Sequence, residues 1–526
     1  MTGESMLLRG GTIHAMDAAE TTTDAIRFRN GVVDALGDEA REDDGSEVDV
    51  VELDGRTVLP GFNDAHTHIL AVGLAIHETD LEAVDGRAEA LESLAENAAS
   101  TDAGDWVLGF GYDESTWPSD DQGYLAREEL DAVSDDHPIA AQRVDGHTIS
   151  LNSAGLERVG FEGVEHDVER DERGEPTGVV VEDAAIRAKT ATYPDREKSR
   201  TVLQLGVERA NELGLTSVQD MAGMTTPPGG DPAHAAFFSA WREEELSIRL
   251  GYYVHVDYVE ALATLGLASG FGDDRLRTLG LKVFADGAIG SRTAKLSDEF
   301  ADDPGNDGLF AIDRDRLADA FAAAARADQQ IATHAIGDEA IGIVLDAYED
   351  VIEAYDVPEP RLRIEHAELA TDDQIERMAA LGVVASMQPN YLQWSEPGGL
   401  YEVRLGEEWR RRNNRHRTVL EAGVPLAFGS DKMPSGPLYG IHHAVNAPHD
   451  EQSLPVAEAV RAYTRGSAYA AFAEDRKGTL ETGMFADAVI LDKDPFKHPE
   501  DIIEINVLMT ILAGDVVYKA PTFDRS

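Results

Sequence analysis

The chain has 526 residues, 42% of them hydrophobic, and its 45 basic and 100 acidic residues give a formal net charge of −55. This charge repels nucleic acid and anionic membrane, so we exclude both as partners. There is no cysteine, which excludes disulfides, thiolate metal sites and a cysteine nucleophile.

The composition also indicates the environment of the protein. The acidic residues are spread along the chain and lysine is scarce, a balance typical of adaptation to high salt, where screening weakens self-repulsion. Residues 1–5 lack the basic start of a signal peptide, and no apolar run approaches the ~20 residues of a membrane span. We therefore expect a halophilic, cytoplasmic protein.

Both ends of the chain predict short β-strands. Near the N-terminus, apolar runs are separated by turn signals such as Asn30-Gly31, which is typical of a tight hairpin. The tail repeats this pattern with apolar runs at 488–492 and 507–512. Because each end alone would leave sheet edges open, we expect residues 1–60 and 475–526 to pair as one composite β-sandwich.

The middle of the chain, residues 61–474, predicts one larger domain with an insertion. Within residues 75–200 the pattern is mixed, with a helix-like stretch at 87–100 and a strand-like run at 107–112. Residues 160–178 are charged and contain glycine and proline, which predicts an exposed loop. We therefore interpret 75–200 as an inserted subdomain.

From residue 200 onward, short apolar strands alternate regularly with helical stretches. Such βα repetition predicts a parallel sheet with helical crossovers. The predicted strands lie at 215–220, 248–254, 279–284, 330–334, 362–366, 383–388 and 426–431. Together with a first strand at 61–68 they make eight, the number that closes a TIM-like (β/α)8 barrel.

Polar residues mark the ends of several of these strands. His66 and His68 stand one residue apart, so in an extended segment they point to the same face. The other candidates on the predicted strands are Lys282, His334, His366 and Asp431. Each alone has an ordinary explanation, such as a helix cap or a bond to a carbonyl. Because the carboxyl ends of barrel strands converge at the mouth, we favour a site for a divalent metal, most readily zinc.

Lys282 lies within an apolar run of a chain that otherwise avoids lysine. A buried ammonium is costly unless it is paired or neutral. One interpretation is an ion pair with Asp286. The other is a neutral lysine that has added carbon dioxide, because burial favours the neutral amine that forms such a carbamate.

Four stretches of the chain resemble the amidohydrolase superfamily, and in particular its YtcJ-like branch, amidohydrolase family 3, which includes N-substituted formamide deformylases. These stretches are 55–68, which contains His66-Thr67-His68, then 145–147, 282–294 and 478–489. The resemblance covers nearly the whole chain and implies a metal-bearing barrel with a composite β-sandwich. One departure is Lys432, where a small residue is expected after Asp431; it concerns the rim where substrate enters.

The resemblance and the ligand types imply a metal-dependent amidohydrolase that cleaves a C–N bond of the amide, N-acyl or N-formyl type. One metal would be held by His66, His68 and Asp431, and a second by His334 and His366, with carbamylated Lys282 as the bridge. Water activated at the metal would attack the carbonyl, while Asp431 takes the proton and passes it to the leaving nitrogen. Candidate substrate contacts are His147, Arg292 and Trp117.

Two other functions stay open at this point. A lactonase or phosphotriesterase could use the same barrel, and a non-catalytic binding protein could keep the fold. The binding protein is disfavoured because no candidate ligand position holds an apolar residue. In every case the expected partner is a small-molecule substrate, and we expect a homodimer as the assembly.

Overall fold

The computed structural model describes residues 5–42, 48–119, 121–223, 231–355 and 361–525. Its strands are β1 (Ser5–His14), β2 (Thr22–Arg29), β3 (Val32–Leu36), β4 (Asp49–Glu52), β5 (Thr57–Pro60), β6 (Phe62–Thr67), β7 (Thr79–Asp80), β8 (Val107–Tyr112), β9 (Ile139–Arg143), β10 (Thr148–Leu151), β11 (Val168–Arg170), β12 (Pro176–Val181), β13 (Leu215–Asp220), β14 (Arg249–His255), β15 (Leu276–Phe284), β16 (Gln330–Ala335), β17 (Arg363–His366), β18 (Val384–Met387), β19 (Leu426–Phe428), β20 (Ala488–Leu491), β21 (Val507–Leu512) and β22 (Asp515–Lys519).

The α-helices connect these strands and cover the sheets. They are α1 (Ile69–His77), α2 (Arg87–Ser100), α3 (Arg127–Val133), α4 (Ser153–Val159), α5 (Glu182–Ala191), α6 (Arg196–Glu212), α7 (Pro232–Arg242), α8 (Val259–Leu265), α9 (Arg314–Arg326), α10 (Asp338–Tyr355), α11 (Asp372–Leu381), α12 (Leu400–Arg412), α13 (His416–Glu421), α14 (Pro437–Val445), α15 (Val456–Arg461) and α16 (Ser467–Ala470). Among the described residues, none of the helices has the length and apolar character needed to cross a membrane.

The central sheet has eight parallel strands in the order β6-β13-β14-β15-β16-β17-β18-β19, and the predicted (β/α)8 barrel is confirmed. Its first and last strands meet where the Asp431 amide donates to the His66 carbonyl, at 2.7 Å. This approach requires Gly429, because a Cβ there would lie 2.4 Å from the His66 backbone nitrogen. The closure therefore brings Asp431 next to the end of β6.

The barrel is held together by one large apolar core. Residues on the strands, such as Val218 and Ile331, pack in the same buried cluster as Val202 of α6 and Val344 of α10. Strand residues point alternately inward and outward, so the outward apolar residues meet the helices and the inward polar ones face the barrel interior. Truncating one such buried aliphatic side chain costs about 2–5 kcal/mol for a Leu or Ile changed to Ala.

The two chain ends build one continuous sheet beside the barrel. Its strands run in the order β22-β21-β20-β5-β1-β2-β3, with β4 also paired to β1. The two ends join where β20 runs antiparallel to β5, with Ile490 opposite Val58. A buried ion pair of Arg249 with Asp487, at 2.7 Å, fixes this sheet to strand β14. The domain limits at residues 60 and 475 stay predictions.

The segment predicted as an insertion forms a third sheet, in the order β11-β12-β10-β9-β8-β7. The prediction of a loop over 160–178 is wrong in part, because β11 pairs with β12 as a hairpin. Its many charged residues hide the strands, since most of their side chains face solvent. The loop between β9 and β10, and helix α5, bring polar residues of this segment to the barrel mouth.

Candidate metal centre

The structure brings the six predicted ligands to one cavity at the carboxyl ends of the barrel strands. They are His66, His68, Lys282, His334, His366 and Asp431. The Nε2 atoms of His66 and His68 lie 3.6 and 3.2 Å from Asp431 Oδ1. The first and last strands of the barrel thus place two imidazoles and a carboxylate around one point.

Three of these residues have the arrangement of a metal site. His66, His366 and Asp431 each offer a ligand atom within 4.8 Å of the other two. His366 Nδ1 is buried and has no hydrogen-bond partner among the described residues. An unpaired buried polar nitrogen is costly. The position of His366 Nδ1 in this cluster is therefore consistent with a metal ligand, whose cost a bound cation would offset. Imidazole and carboxylate are ligands that zinc accepts.

Two of the histidines are oriented by hydrogen bonds that their Nδ1 atoms make on the side away from the cavity. His66 Nδ1–H donates to Glu365 Oε2 at 2.7 Å, and His68 Nδ1–H donates to the Met221 carbonyl at 2.9 Å. Each bond leaves Nε2 as the nitrogen with the free lone pair, facing the cavity. Burial lowers the pKa of His66 to about 4, which keeps the ring neutral and able to bind a cation.

Glu365 is held as a carboxylate although it is fully buried. Burial alone would raise its pKa, but Arg363 and the hydrogen bond from His66 outweigh burial and lower it well below the usual range. Arg363 donates to Glu365 through Nε at 2.8 Å and through Nη2 at 3.1 Å. The ion pair therefore holds an ionised carboxylate in a fixed position next to Nδ1 of His66.

Asp431 lies in the left-handed backbone region, with φ of +48°. Tyr391 Oη donates to its Oδ2 at 2.6 Å, while Oδ1 faces the two histidines. Burial raises the pKa of Asp431, but the neighbouring histidines outweigh burial and lower it well below the usual range. The next helix begins at Pro437 after Gly436, so Asp431 is not its cap.

Lys282 lies inside the barrel and is 1% exposed. Its ammonium is 4.8 Å from the centre of the Phe284 ring, and no carboxylate of the described residues forms an ion pair with it. The alternative of a pair with Asp286 is wrong, because Asp286 instead accepts the amides of Gly337 and Lys295, at 2.8 and 2.9 Å. Burial lowers the pKa of Lys282 to about 8, which favours a neutral amine.

His334 has one nitrogen committed to the protein. Its Nε2–H donates to the Gly287 carbonyl at 2.9 Å, which makes Nδ1 the nitrogen with the lone pair. Its ring centre is 4.5 Å from that of His366. The ring centre of His366 is also 4.9 Å from that of His66, so His366 links His334 to the histidine of the first strand.

The three predicted substrate contacts have different positions. His147 lines the cavity, and its Nδ1 lies 3.3 Å from Glu182 Oε2. Trp117 and Arg292 are not among the residues that line the cavity in the described part of the chain. Trp117 is 3% exposed in the apolar core of the insertion, because its indole fills that core. Arg292 is bound by Asp302, at 2.8 and 3.1 Å.

Sequence reasoning missed the residues that support the ligands. Arg363 and Glu365 could have been found from the sequence, because they are two opposite charges separated by one residue inside a buried strand. Such charges must pair with each other or with groups of a functional site. Tyr391 carried no such signal, because it lies in an irregular helical turn between β18 and α12. Lys189, from α5 of the insertion, also lines the cavity, and nothing in its helix predicted that.

The cavity has two branches that meet at the candidate ligands. The wider branch, of about 240 Å³, lies between the barrel and the insertion. The narrower branch, of about 70 Å³, shares His334, His366 and Asp431 with it. Its far wall is apolar and aromatic, formed by Ile289, Ile336, Tyr391, Trp394, Leu400 and Tyr401. A substrate bound at the ligands could therefore extend in two directions.

A (β/α)8 barrel whose mouth holds this histidine and carboxylate cluster has the architecture of a metal-dependent hydrolase. The family model described as Amidohydrolase family matches residues 49–518. The chain therefore belongs to the amidohydrolase family, and the resemblance seen in the sequence is confirmed.

Relatives match this chain over almost its full length. It is 29% identical to YtcJ of Bacillus subtilis, a protein named as an amidohydrolase, over 97% of this chain and 98% of that one. It is 28% identical to an N-substituted formamide deformylase of Arthrobacter pascens over 98% of both chains. The crystal structure of an uncharacterized metal-dependent hydrolase from Pyrococcus furiosus superposes with a TM-score of 0.76 at 29% identity, covering 94% of this chain and 100% of that one.

Proposed function

We propose that the protein hydrolyses a C–N bond of a small molecule, of the amide, N-acyl or N-formyl type, with a divalent metal held at the barrel mouth. The observation that carries the proposal is the cluster of His66, His366 and Asp431, with a buried nitrogen of His366 that lacks any partner in the described chain. The family membership and the deformylase relative support the choice of C–N bond.

The residues that would hold the metal are His66, His68, His334, His366 and Asp431, with Lys282 as a carbamate if two ions are bound. Zinc is the proposed metal, because nitrogen and carboxylate ligands suit it. When bound, it supplies Lewis acidity, which polarises a carbonyl and makes water nucleophilic at neutral pH. The lowered pKa of Lys282 and its lack of an ion-pair partner support the carbamate.

The side chains of the protein have distinct roles in this proposal. Glu365 fixes the tautomer and direction of His66 through its 2.7 Å bond. Asp431 is ionised at neutral pH, so it can accept a proton from the attacking water and deliver it to the leaving nitrogen. Tyr391 holds one carboxylate oxygen of Asp431, which leaves the other oxygen directed at the reacting atoms.

The test combines metal analysis with a substrate screen. Purified protein should contain about one to two divalent ions, and it should release amine from N-acyl or N-formyl compounds but not act on lactones or phosphotriesters. His366→Ala should lose both metal and turnover, whereas His498→Ala, an exposed histidine outside the site, should keep both. Full metal content and turnover in His366→Ala would refute the proposal, and turnover of lactones alone would replace it with the alternative hydrolase.

A further inference from the structure

Lysine is concentrated at the cavity of a chain that otherwise avoids it. The sequence contains 9 lysines in 526 residues. Three of them, Lys189, Lys282 and Lys432, line the wider branch of the cavity. Lys282 belongs to the candidate metal centre, so the other two need an explanation of their own. Lys432 is also the position at which the sequence departs from the expected small residue.

Neither of the two lysines forms an ion pair with a carboxylate in the described part of the chain. No described residue forms an ion pair or a hydrogen bond with the Nζ atom of Lys189 or of Lys432. The ammonium of Lys432 lies 5.8 Å from the centre of the Phe110 ring, which is a weak contact. Burial lowers the pKa of Lys189 to about 8. Asp145 acts on Lys189 from beyond ion-pair distance, and Lys432 acts in the same way on Glu82. Each lysine therefore has a longer-range acidic neighbour but no direct partner for its Nζ atom among the described residues.

The acidic residues on the same branch are already engaged. Asp145 accepts from Arg143 Nη1 and from the His147 amide, both at 2.9 Å. Asp220 accepts the Ile69 amide at 2.6 Å, and Asp231 accepts the Ala233 amide at 2.8 Å at the start of α7. Asp431 faces the histidines. Apart from Asp431, the charged side chains of this branch that have no direct partner among the described residues are therefore lysines.

The backbone at Gly146 leaves room for the ammonium group of Lys189, and the backbone of Lys432 has an uncommon conformation. Gly146 has φ of +68°, and a Cβ there would lie 3.2 Å from Lys189 Nζ, so a side chain at this position would crowd the amine. Lys432 itself has φ of +57°, a conformation that disfavours a long side chain. Uncommon backbone conformations of this kind often occur at functional sites, and Lys432 directly follows the candidate proton acceptor.

We infer that Lys189 and Lys432 bind a carboxylate of the substrate, so that the substrate class is a small amide with an anionic substituent. The inference rests on the proposed function. The anionic group enters the wider branch, and the narrower aromatic branch takes the apolar group on the other side of the scissile bond. The two cations in one branch and the apolar wall of the other bind opposite ends of such a molecule. Its scissile bond then lies next to the candidate metal ligands.

The experiment compares matched substrates in matched variants. Hexanoate release from N-hexanoylglycine and from N-hexanoylglycinamide, which replaces the carboxylate with a neutral group, is measured with metal-loaded protein at one fixed salt concentration. Wild type should show at least a tenfold higher kcat/KM for the carboxylate, because charge-assisted bonds of this kind are typically worth a factor of ten or more. Lys189→Met and Lys432→Met should each reduce that preference about tenfold, and Lys432→Arg should retain most of it.

The control is Lys519→Met, a surface lysine paired with Asp524, which should leave the preference unchanged. A second readout does not require turnover: calorimetry should show that hexanoate binds more tightly than hexanamide, and that both cavity variants remove this difference while retaining metal. Equal preference in all proteins, with both substrates cleaved, would overturn the inference and leave the proposed function intact. Absence of lysine-dependent binding in both readouts would also overturn it, whereas cleavage that survives metal removal would overturn the proposed function instead.

Discussion

Asp431→Asn is the substitution that best distinguishes a role of Asp431 in proton transfer from a role in the stability of the fold. The side chain keeps its shape, and asparagine tolerates the φ of +48° found at this position. Its carbonyl oxygen can still accept from Tyr391, which donates at 2.6 Å in the native protein. Its amide can donate to the free Nε2 of His68, which lies 3.2 Å from the carboxylate. The fold should therefore survive, with a stability cost of about 1 kcal/mol or less.

The effect on turnover should be far larger than the effect on stability. An amide cannot accept a proton as a carboxylate does, and loss of a general acid–base group typically reduces rates by about 10²–10⁴-fold. That range corresponds to about 2.7–5.4 kcal/mol of activation free energy. Asparagine is also a weaker metal ligand than an ionised aspartate, so metal content must be restored before kcat is compared.

The assay measures kcat for formate or amine release at saturating metal, with circular dichroism and metal content recorded on the same samples. Wild type treated with chelator and reloaded provides the control for the metal step. If Asp431→Asn with native metal content and native spectrum turned over substrate within about threefold of wild type, the proton-transfer role would be refuted. The aspartate would then be a structural residue of the site.

The remaining predictions address salt, pH and barrel closure. With a net charge of −55, the melting temperature should fall as salt is diluted from molar to about 0.1 M, since screening weakens; an unchanged value would count against adaptation to salt. Burial lowers the pKa of His147, but Glu182 outweighs burial and raises it above its usual value. The stabilisation from the His147–Glu182 pair should therefore be complete below about pH 6.5, the usual pKa of histidine. It should be lost as the pH rises through the raised pKa of His147. Thermal melts of His147→Gln should thus approach wild type at high pH, and a constant difference from pH 5 to 9 would contradict the reasoning. Gly429→Ala should separate the first and last barrel strands or lower the stability by several kcal/mol, because its Cβ would lie 2.4 Å from the His66 nitrogen. The control is Gly342→Ala on helix α10, where the new Cβ meets only the Gln374 side chain at 3.4 Å. This control should melt at or above the wild-type temperature.

The barrel could be predicted because its signals are local. Each strand is a short apolar run, and the strand ends carry residues such as His66 and His334 that have no reason to recur there by chance. The eight strands of the structure fall at the predicted positions, with bounds that differ by a few residues. Parallel βα order then determines which ends meet, so the convergence of ligands followed from topology rather than from any contact visible in the sequence.

The residues that complete the site could not be predicted in the same way. Tyr391 and Lys189 reach the cavity from an irregular turn and from a helix of the insertion, and their directions depend on tertiary packing. The position of Trp117, predicted as a substrate contact, also depends on tertiary packing, since the insertion buries it in its own core. The hairpin of β11 and β12 was hidden because its outward residues are charged. Local patterns thus predicted the barrel and the candidate ligands, but not the residues that form the rest of the cavity wall.

The central claim is that a metal binds between His66, His366 and Asp431. The most direct test is anomalous diffraction from crystals of zinc-loaded protein, recorded above and below the zinc absorption edge. An anomalous peak is expected within about 2.0–2.2 Å of a nitrogen of His66 and an oxygen of Asp431, and this peak should be lost in His366→Ala. A metal-loaded crystal with its peak elsewhere, or with no peak at the barrel mouth, would contradict metal binding between these three residues.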